Sequence, residues 1–465
     1  MKGMWSFRAL VVTMAIGCLL PMGWSPAGAE PVSDGNGTTS PSELQQWIDT
    51  NVPPPTIPPA ASPPSRNLTP ELAALWQAVR STPSGDPIFD VWPSDLGRFA
   101  PGQIVEWRDV TATSAPLVVV PIQRAMLLKF RTTDALGAPS FGTATLVIPA
   151  AEWTGPGGRP VLVNALPINS LGLSCTPSYA MAHGLHSKFN AGDLFPPTTW
   201  SSVSRGFAVL IPDHEGPWMS YAEPNVAGHV VLDSIRAVRN SSNEFTGSRF
   251  AVGGYSGGAI ASYAAAMLVA EYAPELNGVL VGASMGGLAA DYRTVARQFN
   301  GSSASGILLV VSLAMGREYP EILTYMNNLA QWVATSSVKD SCGETNGPLG
   351  VVGIPIEVAA TVADPLGTDL AERIFRRTDL TNRRSAVPLY IYHGVHDFWI
   401  PLEGAIDIYR AQCARGVPVT FRTLGGEHII ALFSGFPGSI DWLDQRLRGV
   451  PAPNDCVTNP VRPPN

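Results

Sequence analysis

The chain has 465 residues, 45% of them hydrophobic and 14% charged, enough to bury a large core and simplest as one domain with additions. Acidic residues exceed basic ones only mildly, 37 to 30, and no basic stripe runs along the chain, so the charge pattern excludes nucleic acid as a partner. The 12 Trp, 45 Gly and 43 Pro describe a loop-rich globular protein with apolar surface to spare.

Residues 1–29 read as an export signal. Lys2 and Arg8 form its basic start, residues 9–20 its apolar core, and Ala27-Gly28-Ala29 the small residues of a cleavage site. Lipid attachment at Cys18 is the rival reading, weakened by the Ala three residues before it and by the apolar sequence that continues beyond it. No later segment is expected to span a bilayer, because the most apolar run, 307–315, is about half of the roughly 20 residues required. The mature chain is expected to be exported and soluble, either free outside the cell or associated with the envelope. Export leaves Cys175, Cys342, Cys413 and Cys456, an even number in an oxidising compartment, with three connectivities open. The favoured pairs are Cys175–Cys342, tying an insertion to the body, and Cys413–Cys456, fastening the C-terminal tail.

Residues 30–85 form a Pro-rich leader. An amphipathic stretch at 42–49 precedes Pro53-Pro54-Pro55 and Pro63-Pro64, which read as an extended linker, and a second short helix at 68–79 reads as a tether. From about residue 86, strands are expected at 125–131, 142–148, 159–164, 207–211, 249–253, 278–282, 388–392 and 417–423. Helices at 225–238, 258–272 and 402–414 fall between them. Apolar, β-rich runs separated by helices predict a mostly parallel sheet covered on both faces. The alternation breaks between 286 and 384, where apolar helical pieces at 306–315, 321–333 and 351–362 suggest a cap inserted between catalytic segments 86–285 and 385–465.

Two Gly-x-Ser-x-Gly patterns occur, Gly254-Tyr255-Ser256-Gly257-Gly258 and Gly282-Ala283-Ser284-Met285-Gly286. Such a pattern suits a serine on a tight strand-to-helix turn, where a β-carbon on either flank would collide with its neighbours. Strand order separates the two. After Ser256 the chain offers one further strand, then the insertion, then the strand 388–392; after Ser284 the intervening strand is missing. Ser256 is therefore the expected nucleophile, and Ser284 a small residue packed under the cap. A serine needs a base and a carboxylate that orients it. His428 is the one histidine after the last strand, on a Gly-rich loop, and Asp397 follows the strand 388–392, so both fall in the required order. Glu427 should point away from His428, and Asp213-His214-Glu215, which precedes the serine, reads as a structural network at a strand end. The backbone N–H of Gly257 should supply one oxyanion donor, and Asn169, through its side chain added to its backbone, the other. No metal-ligand spacing, phosphate loop or dinucleotide fingerprint is present, so neither metal nor cofactor is expected.

In its ordered motifs the chain resembles the secretory lipase family of fungal lipase A enzymes and their actinobacterial homologues, within the α/β-hydrolase superfamily. These motifs run from about residue 86 to 447. They include Pro101-Gly102, Cys175-Thr176-Pro177-Ser178, 211–217 (IPDHEGP), 232–237 (LDSIRA), the Ser256 elbow and 272–276 (YAPEL). The resemblance implies lipase or carboxylesterase activity on a lipid or ester substrate, including substrate at a lipid–water interface. It also implies a helical cap over an acyl tunnel, and disulfides like those above. One departure stands out: the family usually carries Asp in the loop before the Cys-x-Pro-Ser motif, where this chain reads Pro167-Ile168-Asn169-Ser170. An amide donates as well as a protonated carboxyl does. An acyltransferase using the same residues, and a non-catalytic binding protein on the same scaffold, are the alternatives.

Overall fold

The structure is a computed structural model that describes residues 40–61, 68–187, 198–343, 345–346 and 353–458. The expected signal, Cys18 and residues 351–352 lie outside this set.

Nine strands among the described residues form one sheet in the order β1-β2-β3-β5-β4-β6-β7-β8-β9. They are β1 Ile104–Asp109, β2 Ile122–Thr133, β3 Pro139–Pro149, β4 Val161–Ala165, β5 Ala208–Pro212, β6 Phe250–Tyr255, β7 Leu280–Gly286, β8 Leu389–Gly394 and β9 Val419–Leu424. Pairing is antiparallel from β1 through β3 to β5, and parallel from β5 onward. The central parallel strands β4 and β5 are buried on both faces and have no exposed residue, as continuous apolar runs require. Helices α3 (Pro224–Ser241) and α4 (Gly257–Tyr272) cover one face with Val230, Ile235 and Ala264. The opposite face is covered by the C-terminal helix, His428–Leu447, through Ile440, Trp442 and Leu443.

Between β7 and β8 the described chain is helical. It contains α5 (Tyr292–Phe299), α6 (Ser305–Glu318), α7 (Asn328–Thr335) and α8 (Asp369–Thr378), followed after β8 by α9 (Leu402–Ala414) and α10 (His428–Leu447). Two sequence expectations here need correction. The helix expected at 321–333 is split, because Asn327 caps α7 by accepting from the N–H of Ala330, leaving only a 3-10 turn at Pro320–Tyr325. The helix expected at 351–362 is reduced to a 3-10 turn, Ile356–Ala359, after Pro355. Edge strand β1 and α10 were not expected.

The leader is also not a tether. Helix α1 (Glu43–Asn51) is closed by a capping box at Ser42 and Gln45, and α2 (Pro70–Ala78) by Thr69. Gln45 Nε2 donates to the carbonyls of Glu357 and Val362, and the N–H of Asn328 donates to Asp49. Leu75 and Trp76 of α2 pack on Leu323, Met326 and Ala330. The leader straps the outside of the insertion because its apolar face has that surface to bury. The disulfides are Cys175–Cys342 and Cys413–Cys456.

Candidate active site

β6 ends at Tyr255, and the chain turns through Ser256 into α4. Ser256 has φ 54° and ψ −119°, a conformation that a residue with a side chain adopts only when its surroundings impose it. The glycines make room: a β-carbon at Gly254 would lie 2.2 Å from the carbonyl oxygen of Gly258, and one at Gly258 would lie 1.9 Å from that of Ala165. The N–H of Ser256 is tied to Gly286 O at 2.8 Å. The turn leaves Ser256 at the start of α4, where the first N–H groups, including that of Gly257, have no partner within the helix and favour negative charge.

The second serine sits quite differently. β7 runs through its whole motif to Gly286, so no turn exists at Ser284. Its side chain is fully buried and bonded to Ser439 of α10 at 2.6 Å, so it packs under α10, not under the insertion as expected.

His428 lies at the first position of α10, where a loop had been expected. Its Nδ1 is 2.5 Å from Asp397 Oδ2, and both side chains are nearly inaccessible to solvent. Asp397 Oδ1 accepts the N–H groups of Trp399 and Ile400 at 3.0 and 2.8 Å. Burial alone would raise the Asp397 pKa, but the bonds from His428 and Ile400 outweigh it and hold the carboxylate below its ordinary range. His393 Nε2 braces this loop by donating to Ile400 O. No hydrogen bond joins Ser256 to His428 among the described residues. His428 Cε1 lies 2.8 Å from where a β-carbon on Gly287 would sit, and Ser256 and His428 line one cavity of about 730 Å³.

Several positioning groups escaped the sequence reading. Tyr255 Oη donates to His428 O at 2.6 Å, the Trp399 ring lies 5.4 Å from the imidazole, and the Glu427 carboxylate accepts the N–H groups of Ile429 and Ile430. Glu427 thus caps α10 and, as expected, does not serve His428. Tyr255 stood inside the recognised motif, so its position was a signal; the others carry none in sequence.

Asn169 lies beside Gly257, its Oδ1 2.0 Å from where a β-carbon on residue 257 would sit. It has φ 49°, and its Oδ1 is buried without a hydrogen-bond partner. Its backbone is already committed: the N–H faces the Glu215 carboxyl, and the carbonyl accepts Asn346 Nδ2 at 2.9 Å. The side-chain atom that faces Gly257 is Oδ1, an acceptor, so donation to an oxyanion there requires the amide turned to present Nδ2, with no help from the committed backbone.

The Asp213-His214-Glu215 run lies directly beneath this loop. Asp213 is bonded to Thr143 Oγ1 and Ser178 N, and burial pushes its pKa up to about 7 against those bonds. His214 Nε2 donates to Leu166 O at 2.7 Å, and burial lowers its pKa to about 4. Burial drives the Glu215 carboxyl well above its usual range, opposed by the N–H groups of Ser170 and Asn169 and by buried Arg317. That guanidinium donates to the carbonyls of Val79, Leu171, Trp218 and Lys339.

A strained serine elbow at the end of a central parallel strand, in a sheet with helices on both sides, defines an α/β-hydrolase. Residues 198–455, more than half of the chain, match the family described as "Secretory lipase", and the chain belongs to that family. It is 28% identical over 404 residues to Lipase 10 of Candida albicans, spanning 81% of this chain and 83% of that one. It is 29% identical over 385 residues to a probable inactive lipase of Mycobacterium tuberculosis, spanning 79% and 83%. Among solved structures, closed Candida antarctica lipase A superposes with a TM-score of 0.70 at 23% identity, over 83% of this chain and 90% of that one, which establishes a shared fold. The chain is thus a lipase-type hydrolase by family, and no helix among its described residues is long and apolar enough to cross a membrane.

Proposed function

We propose that the protein is a secreted serine esterase that hydrolyses carboxylic esters of apolar acyl chains, acylglycerols among them, through an acyl-enzyme. The observation that carries this reading is the single cavity that Ser256, His428, Gly257 and Asn169 line together, whose remaining wall is mostly apolar. Much of that wall comes from the insertion, through residues such as Phe299, Leu309, Val311, Met326 and Ile374. This insertion, 286–384, is the cap of the catalytic domain. A wall with so few polar groups accepts an acyl chain and leaves a peptide backbone unsatisfied.

In this mechanism Ser256 Oγ attacks the ester carbonyl while His428 Nε2 takes its proton. The Nδ1–H of His428 points at Asp397 Oδ2, which fixes the tautomer and stabilises the imidazolium. The Gly257 N–H and Asn169 Nδ2, its amide turned from the orientation in which Oδ1 faces Gly257, donate to the oxyanion. His428 then protonates the departing alcohol, and water, activated by the same base, releases the acid. The probable inactive name of the mycobacterial relative, together with the amide at position 169, supports a second reading: a binding protein on the same scaffold.

An organophosphonate probe and a p-nitrophenyl ester series from acetate to long chains separate the two. The proposed enzyme is labelled at Ser256 and cleaves the series; Ser256→Ala loses both, and Ser284→Ala keeps both. An intact protein that neither labels nor cleaves is the binding protein.

A further inference from the structure

Asn169 is held from two sides by groups remote in sequence. From the body, the N–H groups of Asn169 and Ser170 face the Glu215 carboxyl, the latter at 3.4 Å from each oxygen. From the insertion, Asn346 Nδ2 donates to Asn169 O at 2.9 Å, and Asn346 is itself fixed by Ser341 Oγ at 2.6 Å. Both polar groups of the Asn169 backbone are thereby occupied, in a left-handed conformation (φ 49°) that a residue with a side chain avoids unless held. The neighbouring loop is gripped in the same two-sided way, since Gly343 N donates to Ser170 Oγ and Leu171 N to Ser341 O.

Resting on the proposed function, we propose that Glu215 and Asn346 are positioning residues that clamp the Asn169 backbone from opposite sides and so hold its side-chain amide beside Gly257, where the amide turned to present Nδ2 donates to the oxyanion. Neither touches the reacting atoms in this scheme; both act through Asn169. The Asp213-His214-Glu215 run thereby gains a role in the reaction beyond finishing a strand. His214 fixes Leu166, where the loop departs from β4, and Glu215 fixes its tip. The insertion, through Asn346, supplies the other half of the clamp, so the oxyanion donor is in place only when the insertion is seated.

Glu215→Gln tests this. Glutamine keeps the shape but leaves one acceptor oxygen where the carboxyl has two, which loosens its hold on the N–H groups of Asn169 and Ser170. With p-nitrophenyl butyrate as substrate, kcat should fall roughly 10- to 100-fold, the scale of a misplaced or lost oxyanion donor, with KM within about threefold. In an Asn169→Gly background, Glu215→Gln should lower kcat by less than about threefold further, because the group it acts through is gone.

Glu223→Gln is the control. Glu223 is equally buried but caps α3 and receives Tyr319 Oη, so its loss should lower Tm and leave kcat unchanged. If Glu215→Gln does not fold, Asn346→Ala must meet the same two kinetic criteria. Retained kcat, an undiminished fall in the Asn169→Gly background, or an equal kcat loss in Glu223→Gln overturns the clamp while wild type stays active. An inactive wild type overturns the proposed function itself.

Discussion

Asp213 and His214 are adjacent, buried and shifted in opposite directions, so their contributions to stability oppose each other as pH changes. The His214 pKa of about 4 lies below the ordinary value of 6.5, so its contribution is complete above 6.5 and is lost as pH falls toward 4. The Asp213 pKa of about 7 lies above the ordinary 3.8, so its contribution is complete below 3.8 and is lost as pH rises through 7. Across pH 4 to 6.5 the two slopes cancel in part. His214→Gln keeps an N–H for Leu166 O and removes one slope. Its Tm relative to wild type should therefore decline as pH rises from 4 to 6.5, which thermal melts at three pH values will read; a constant difference would sink the assignment. The two residues were visible in the sequence as a charged run at a strand end. Their connection to Asn169 was not, because Ser170 and Glu215 lie 45 positions apart and Asn169 and Asn346 177 apart. By contrast, Ser256, Asp397 and His428 could be nominated as candidates because the fold demands an order along the chain, and order is what a sequence records.

At the scale of elements, the strands with apolar runs were legible and β1 was not. Its residues Glu106, Trp107 and Asp109 are those of an exposed edge, and it is located by pairing with β2. Helix α10, absent from the sequence expectations, carries Gly435, Pro437 and Gly438 within it. In the structure these glycines let the helix approach the sheet: a β-carbon at Gly435 would lie 2.3 Å from the Tyr392 ring, and one at Gly438 2.6 Å from Tyr390 Oη. The leader misled because a Pro-rich composition describes a linker whether or not the linker finds a surface. Trp76 decides the matter. It is 5% exposed, packs with Trp218 at 5.3 Å, and donates Nε1 to Arg317 O. Trp76→Ala should cost about 3–5 kcal/mol in urea titration, the range for a buried aromatic. Because its neighbours Met326 and Ala330 also line the cavity, KM should rise more for long-chain than for short-chain esters.

For the whole molecule, the two disulfides do different work. Cys175–Cys342 closes 167 residues and joins the segment just after Asn169 to the insertion; Cys413–Cys456 closes 43 and holds the tail against α9. Loop-closure entropy assigns ~5 kcal/mol to the first and ~4 kcal/mol to the second. Replacing either pair by serine should lower stability by similar amounts, whereas only the first replacement should also lower kcat. Denaturation and ester hydrolysis on both double variants check this, and equal kcat in the two would show that the disulfide at the insertion is purely structural.

The bond from Gln45 to Val362 spans 317 residues, and that from Asn328 to Asp49 spans 279. The first helix of the described chain therefore finds its seat only after most of the polypeptide has emerged, and the wall it backs is completed last. Contacts this distant in sequence slow folding, since the entropy of bringing them together must be met before they stabilise anything. On refolding with disulfides intact, the sheet should return first and ester hydrolysis later, leaving a transient with a formed elbow and an unfinished greasy chamber. Such a species exposes apolar surface and is prone to self-association. If the chain acts as proposed, a secreted esterase, this order of assembly places a delay between synthesis and activity.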